Sequence, residues 1–256
     1  MALKIVVVFY FIFSAAVHSF ECTEQQATKI LKEYQWYTED YPPYNYRDEN
    51  GKLVGIYPEI LSLIFQELKI DINLDDVLTV PWARLFHTLE SYPNYAAFNM
   101  IKTPERSKKF QLISLPVVTK VSIMVLNENK NTLLSKPIEK LTYAVVRQDI
   151  GETLLDKQLK IENKVVTTSA NSMLAMLLHN RVEAIAYSEL VAKFKLNKLG
   201  LEDKKLASIY TLNDKYKTAF IFHKNTPACV TQLWAKTIST LDSRGEIAKV
   251  ISKYQH

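Results

Sequence analysis

The chain has 256 residues and a formal net charge of +5, and its 48% hydrophobic and 23% charged residues are typical of a globular protein. This length is enough for one large domain or for two small ones, each with its own core. The lysines are scattered along the chain, which argues against the focused basic face of a nucleic-acid-binding protein. We therefore expect no nucleic-acid partner.

The N-terminal segment is typical of a secretory signal peptide. Lys4 supplies the positive charge, the apolar run extends from Ile5 to Val17, and Ser19 offers a small side chain at the cleavage position. The run is short for a membrane span, although an uncleaved anchor is the alternative. We predict a signal peptide at 1–19 and a soluble mature protein in the periplasm.

Cys22 and Cys229 are the two cysteines of the chain. An exported protein meets an oxidising compartment, so a disulfide between them is expected, with two unpaired thiols as the alternative. His87, His179 and His223 are widely spaced and form no metal-ligand cluster. With no phosphate-binding or nucleotide-binding motif either, we expect no metal and no cofactor.

The hydrophobic pattern of the first half predicts alternating strands and helices. This β-α-β-α-β order is typical of a parallel sheet covered by helices. The predicted elements are a strand at 34–38, a helix at 57–68, a strand within 70–80, a helix at 82–89, a strand at 95–101, a polar loop at 102–109 and an extended segment at 117–125.

A second α/β series follows, and the pattern predicts two lobes. Residues 20–117 with 217–256 are expected to form the first lobe and residues 118–216 the second, joined by two hinge crossings. The predicted elements are strands at 141–147, 164–168, 182–187 and 218–222, and helices at 152–159, 171–179, 189–196, after 226–227, and at 245–254.

Four stretches of the chain together resemble the family 3 extracellular solute-binding proteins, the type II periplasmic binding proteins of polar amino acid uptake systems. The resemblance implies an α/β fold of two lobes, each a mainly parallel sheet flanked by helices, with the solute held between them. The stretches are TEDYPPY at 38–44 with NGKLVGIYPEI at 50–60, PWARL at 81–85, TPERSKKF at 103–110 with ISLP at 113–116, and NRVEAIAYS at 180–188.

A solute site between lobes needs flat apolar walls and a few fixed polar groups. Tyr41 and Tyr44 are candidate walls presented by a proline-stiffened loop, with a core position as the alternative for Tyr44. The resemblance makes Trp82 a second wall. It also matches Arg106 to the arginine that clamps the ligand carboxylate, a bidentate role suited to guanidinium, with Thr103 completing that site.

The chain departs from the family at several site positions. Ile101 stands where relatives often carry a hydroxyl, and Ser188 stands where relatives of α-amino acid specificity carry an aspartate. Arg147 and Gly151 lie in a loop that is usually glycine-rich. We therefore hypothesise a carboxylate-bearing ligand other than a standard α-amino acid, or a more anionic one. Asn99 and Tyr187 complete the predicted ligand-binding set, and Asp149, Glu152 and Glu189 are alternative sources of the missing negative charge.

The resemblance implies a monomeric binding protein that closes by a hinge motion and delivers a small polar solute to an ABC permease, its transient partner. A sensory or orphan role on the same fold is one alternative. A cyclohexadienyl-dehydratase-like enzyme is another, because some relatives have that activity. Catalysis would need an acid or base in the cleft, and Glu152 and Glu189 are the candidates. Neither lies in a catalytic motif, so we expect binding without turnover.

Overall fold

The computed structural model describes residues 22–202 and 205–254, so the predicted signal peptide at 1–19 lies outside the described residues. Within the described ranges, no helix has the length and hydropathy needed to cross a membrane.

The first elements are α1 (Glu24–Lys32), β1 (Gln35–Thr38), β2 (Tyr46–Arg47), β3 (Leu53–Val54), α2 (Ile56–Glu67), β4 (Leu78–Thr79), α3 (Trp82–Ser91), β5 (Tyr95–Ile101), α4 (Pro104–Lys109) and β6 (Phe110–Val118). The remaining elements are β7 (Val121–Leu126), α5 (Lys130–Leu134), β8 (Tyr143–Val146), α6 (Ile150–Leu159), β9 (Lys164–Thr167), α7 (Ala170–Leu178), β10 (Ala184–Ser188), α8 (Glu189–Lys198), β11 (Leu206–Asn213), β12 (Lys217–His223), α9 (Ala228–Ser243) and α10 (Glu246–Ser252).

Ten of these strands form two five-stranded sheets, in the orders β4-β1-β5-β12-β6 and β11-β7-β10-β8-β9. In each sheet four strands run in one direction. The fifth, β12 in one sheet and β7 in the other, runs against both of its neighbours. The mixed α/β class with helix-flanked sheets is therefore confirmed.

The chain passes between the two sheets twice. Strand β6 belongs to the first sheet and β7 to the second, with residues 119–120 between them. Residues 214–216 connect β11 of the second sheet back to β12 of the first. Since α9 and α10 follow β12, the C-terminal helices pack with the N-terminal half of the chain, and the Cys22–Cys229 disulfide joins the start of α1 to α9 with a Cα–Cα distance of 5.8 Å.

An aromatic cluster forms the core between the first sheet and its helices. Trp36 on β1 stacks on Trp234 of α9 with a ring-centroid distance of 5.0 Å, and the Phe65 ring of α2 meets both indoles edge-on. Offset and edge-to-face aromatic pairs contribute about 0.5–1.5 kcal/mol each beyond the area they bury. This packing fixes the sheet whose strand ends carry the candidate site.

The structure corrects two local predictions from the sequence. The predicted polar loop at 102–109 contains helix α4, because the Thr103 hydroxyl accepts a hydrogen bond from the Arg106 backbone N–H and Pro104 occupies the first helical position. The strand predicted within 70–80 shrinks to β4, because Asn73 caps a short 3-10 turn through the Asp75 backbone N–H. Helices α1 and α5 and strands β2, β3 and β11 were not predicted from the sequence, and the extended segment predicted at 117–125 divides into the end of β6, residues 119–120 and most of β7.

Candidate functional site

The candidate site lies where the carboxyl ends of strands from both sheets face each other. Glu39 follows β1, Trp82 follows β4 and Thr103 follows β5 in the first sheet, while Gln148 follows β8 and Thr168 follows β9 in the second. In open α/β sheets, ligands bind outside the carboxyl ends of the strands. The arrangement therefore defines a crevice between two lobes.

Arg106 lies at the bottom of this crevice. It is buried, with 6% of its surface exposed, and its guanidinium carbon is 5.3 Å from the centroid of the Trp82 ring. The guanidinium donates hydrogen bonds to the backbone carbonyls of Ile101 (3.2 Å) and Gln148 (3.3 Å). Because Gln148 belongs to the second lobe, the arginine is held between the lobes.

We call the small cavity at this guanidinium the arginine pocket. Its volume is about 10 Å³, and its lining comprises Glu39, Tyr41, Trp82, Asn99, Ile101, Arg106, Thr119, Asp149 and Ile150. Within the described residues, Asn99 Oδ1 and Thr119 Oγ1 are buried and have no hydrogen-bond partner. Buried polar groups without partners are rare, and these two mark a place where a ligand could make hydrogen bonds.

Two carboxyl groups accompany the arginine. Burial raises the pKa of Asp149 to about 6, against the opposing effects of the Gly151 backbone N–H and the Arg106 charge. Burial and the Asp149 charge raise the pKa of Glu39 well above its usual range, although Arg106 and Lys195 oppose that shift. Burial lowers the pKa of Arg106, and both carboxyl groups oppose this effect. The arginine pocket thus holds the positive charge of Arg106 beside two carboxyl groups whose burial favours their neutral forms.

We call the larger space that opens beside the arginine pocket the inner groove. Its volume is about 290 Å³, and it shares Glu39 and Trp82 with the arginine pocket. The lining comes from both lobes and comprises Glu39, Asp40, Thr79, Val80, Pro81, Trp82, Val146, Thr168, Ser169, Ala170, Asn171, Tyr187 and Lys195. A space of this size, with aromatic walls and a few polar groups, suits a small polar solute.

Five of the predicted ligand-binding residues, Tyr41, Trp82, Asn99, Ile101 and Arg106, line the arginine pocket. Tyr187 lines the inner groove, as does Trp82, and the Tyr187 ring centroid is 5.3 Å from that of Tyr41. The structure therefore brings six of the predicted residues together. Their contacts with a solute remain a prediction.

The other five predicted residues line neither space. Tyr44 is buried against Tyr41, which is the core position left open above. Thr103 caps α4, and its hydroxyl accepts a hydrogen bond from the Arg106 backbone N–H, which fixes the backbone of the arginine. Ser188 is fully buried and caps α8 through the Val191 backbone N–H.

The predictions for Arg147 and Gly151 are corrected most clearly. Arg147 is exposed, so the expected pair of arginines in the cleft does not form. Gly151 is buried in α6, where an added Cβ would lie 2.0 Å from the Ala186 carbonyl oxygen, so this glycine permits close helix–strand packing. The carboxyl groups near Arg106 are those of Asp149, one of the alternative sources given above, and of Glu39, which the sequence analysis did not name.

Glu39, Asp40, Asn171 and Lys195 were missing from the predicted site. Lys195 is 8% exposed and forms a 2.5 Å ion pair with Asp40 of the other lobe. One signal in the sequence could have found it: Lys195 interrupts the buried stripe of α8 formed by Val191, Ala192 and Leu196. Glu152 and Glu189, the other alternative acids, line neither the arginine pocket nor the inner groove. Glu152 accepts a hydrogen bond from the Gln148 backbone N–H, and Glu189 forms an ion pair with Lys120.

Within residues 22–202 and 205–254, no group of histidine, cysteine or acidic residues is arranged to hold a metal ion. The fold and the crevice define the class of two-lobed binding proteins whose ligand lies between the lobes. The model of the bacterial extracellular solute-binding proteins, family 3, matches residues 36–256, and the chain belongs to this family.

Three solved structures illustrate the similarity of fold. A histidine kinase sensor domain with similarity to periplasmic binding proteins has a TM-score of 0.72 and 14% identity, covering 87% of this chain and 96% of that one. An ancestral amino acid-binding protein, a precursor of cyclohexadienyl dehydratase, has a TM-score of 0.72 and 17% identity, covering 90% and 99%. An amino acid ABC transporter substrate-binding protein from Streptococcus pneumoniae, bound to L-arginine, has a TM-score of 0.71 and 19% identity, covering 89% and 97%. No curated protein matches the chain.

Proposed function

We propose that the chain captures a small polar solute between its lobes outside the cytoplasm and delivers it, as a monomer, to an ABC importer. The solute carries a carboxylate, which the guanidinium of Arg106 binds, and an amino group, which faces Glu39 and Asp149. The observation that carries this proposal is a buried arginine 5.3 Å from an aromatic ring, at the contact between the two lobes.

In the proposed binding step, the solute replaces hydrogen bonds that the Arg106 guanidinium makes to the protein backbone. The Gln148 carbonyl accepts a hydrogen bond from the Arg106 guanidinium, and a carboxylate would be a stronger acceptor because its charge assists the bond. Residues 118–216 would swing away about the crossings at 119–120 and 214–216 to admit the solute. Closure on the solute then adds contacts from both lobes and stabilises the closed form.

The test is a thermal-shift screen over amino acids, dicarboxylates and amines, followed by calorimetric titration of the compounds that raise the melting temperature. We expect Arg106→Lys to weaken binding about tenfold or more, because a lysine cannot form the bidentate pair. Arg84→Lys is the matched control, since Arg84 is exposed on α3 and lines neither the arginine pocket nor the inner groove. Unchanged affinity in Arg106→Lys would refute the carboxylate clamp.

A sensory role is the second candidate, and the similarity to a histidine kinase sensor domain favours it. Loss of solute uptake after deletion of the gene supports delivery to an importer. Normal uptake together with a lost transcriptional response to the solute supports the sensor. We propose that the protein does not turn over its solute in either role. Formation of product from prephenate or arogenate would contradict this proposal.

A further inference from the structure

A second space between the lobes, which we call the outer groove, adjoins the inner groove. Its volume is about 490 Å³, larger than that of the inner groove. The lining comprises Asp40, Pro42, Arg47, Asn171, Leu174, Ala175, Leu178, His179, Lys195, Lys198 and Leu199. Both lobes contribute to it, so its shape depends on the same closure that forms the inner groove.

The two grooves hold different sets of ionisable residues. The inner groove contains two acids, Glu39 and Asp40, and one base, Lys195. The outer groove adds Arg47 and Lys198, and shares Asp40 as its one acid. A carboxylate is therefore favoured at the outer end, and an ammonium group bound at the inner end would favour the ionised form of Glu39.

The two added cations have no carboxylate partner among the described residues. The Lys198 ammonium lies 4.9 Å from the Tyr46 ring centroid and 5.7 Å from that of Phe194. The Arg47 guanidinium donates to the backbone carbonyls of Gly51 and Val77, which carry no net charge. Their positive charge is therefore available to an anionic group in the outer groove.

Asp40, Asn171 and Lys195 line both grooves and form the wall between them. Asp40 and Lys195 are joined by the ion pair across the lobes, and the Asn171 amide adds one acceptor and two donors. Such a wall can hydrogen-bond to the N–H and C=O groups of a peptide bond. Beyond it, the side chains of Leu178 and Leu199 offer an apolar surface.

We propose that the solute is a short peptide that spans both grooves. Its amino terminus faces Glu39, its backbone crosses the wall at Asn171, and its free carboxyl terminus lies beside Lys198 over the apolar surface. This inference rests on the proposed function and refines its solute class. It keeps the capture between the lobes but moves the terminal carboxylate from Arg106 to the outer groove, so Arg106 binds a carboxylate only in a free amino acid or in a peptide whose first side chain is acidic.

The test compares free leucine, alanine, lysine and glutamate with the four dipeptides that carry leucine after alanine, lysine, glutamate or serine. Each dipeptide is titrated calorimetrically as the free acid and as the C-terminal amide. We expect at least one dipeptide to bind tenfold more tightly than any of the free amino acids. We expect amidation to weaken its binding about threefold or more, the range of a partly exposed ion pair.

The variants locate the effect. Lys198→Met should weaken the affinity for the free-acid dipeptide and leave the affinity for its amide unchanged. Lys198→Arg should bind the free acid as tightly as the unmodified protein does. Lys193→Met, on the same helix and outside both grooves, should behave as the unmodified protein. If free amino acids bind and no dipeptide binds more tightly, the peptide inference is wrong and the proposed function stands. If nothing in the panel binds, both are wrong.

Discussion

The indole Nε1 of Trp82 donates a 2.8 Å hydrogen bond to the backbone carbonyl of Gln148, and this bond joins the two lobes. Gln148 has φ of +60°, a region that residues other than glycine seldom occupy. This conformation directs one carbonyl at both Trp82 and Arg106, so a single peptide group of the second lobe accepts hydrogen bonds from two side chains of the first.

Removing this donor should open the protein. Trp82→Phe keeps an aromatic ring near Arg106 but loses the hydrogen bond, which contributes about 1 kcal/mol and hence about a fivefold shift between open and closed forms. We expect a larger radius of gyration by small-angle X-ray scattering without solute. Tyr92→Phe is the control, because Tyr92 is exposed on the first lobe and the change also removes a polar donor while keeping an aromatic ring. An equal radius in Trp82→Phe and the unmodified protein would contradict the prediction.

Asp149 should make stability depend on pH. Its pKa is raised from 3.8 to about 6, so the folded protein binds more protons than the unfolded chain between these values. This contribution is fully present below about pH 4 and is lost as the pH rises through about 6, at most about 3 kcal/mol. Asp149→Asn keeps a helix cap but cannot titrate.

Urea unfolding at several pH values measures this effect. The free energy of unfolding of Asp149→Asn, minus that of the unmodified protein, should rise between pH values of about 4 and 6. Because the Asp149 charge also raises the pKa of Glu39, the difference reports the coupled titration of the two carboxyl groups. A difference that stays constant over this window would show that burial does not perturb the carboxyl group.

Reducing the disulfide should destabilise the protein strongly. Cys22 and Cys229 are separated by 207 residues, so the bond closes a long loop in the unfolded chain. For such loops we expect a loss of about 2–5 kcal/mol in the free energy of unfolding. Melting temperatures with and without dithiothreitol measure this loss. The variant with both cysteines changed to serine should have the melting temperature of the reduced protein, and dithiothreitol should not change it.

Gly151→Ala should lower stability rather than affinity. The added Cβ collides with the Ala186 backbone, which is rigid, so overpacking should cost about 1–3 kcal/mol. Gly200→Asn is a control, since that position is open and asparagine tolerates its positive φ. Chemical unfolding gives the stability, and titration of the folded variant gives the affinity. Unchanged stability with weakened binding would return Gly151 to the list of ligand-binding residues.

Local patterns in the sequence predicted most of the helices and strands correctly. Apolar residues at helical spacing predict the buried faces of α2 and α7. The spacing follows from the helical period and therefore depends only on residues within the same segment. The misses fall where local polar chemistry competes with hydrophobicity, as at α4, where a threonine cap and a proline start a helix within a polar stretch.

The sequence by itself determined the α/β fold and the position of Arg106, Trp82 and Tyr41 near the ends of strands, because the alternation of strands and helices along the chain and the helix caps depend on nearby residues. Only the tertiary structure decided which charges meet. Asp40 and Lys195 lie 155 residues apart, and Asp149 of the second lobe lines the same pocket as Arg106 of the first. Such pairs depend on how two separately folded sheets approach each other, and no local pattern encodes that approach.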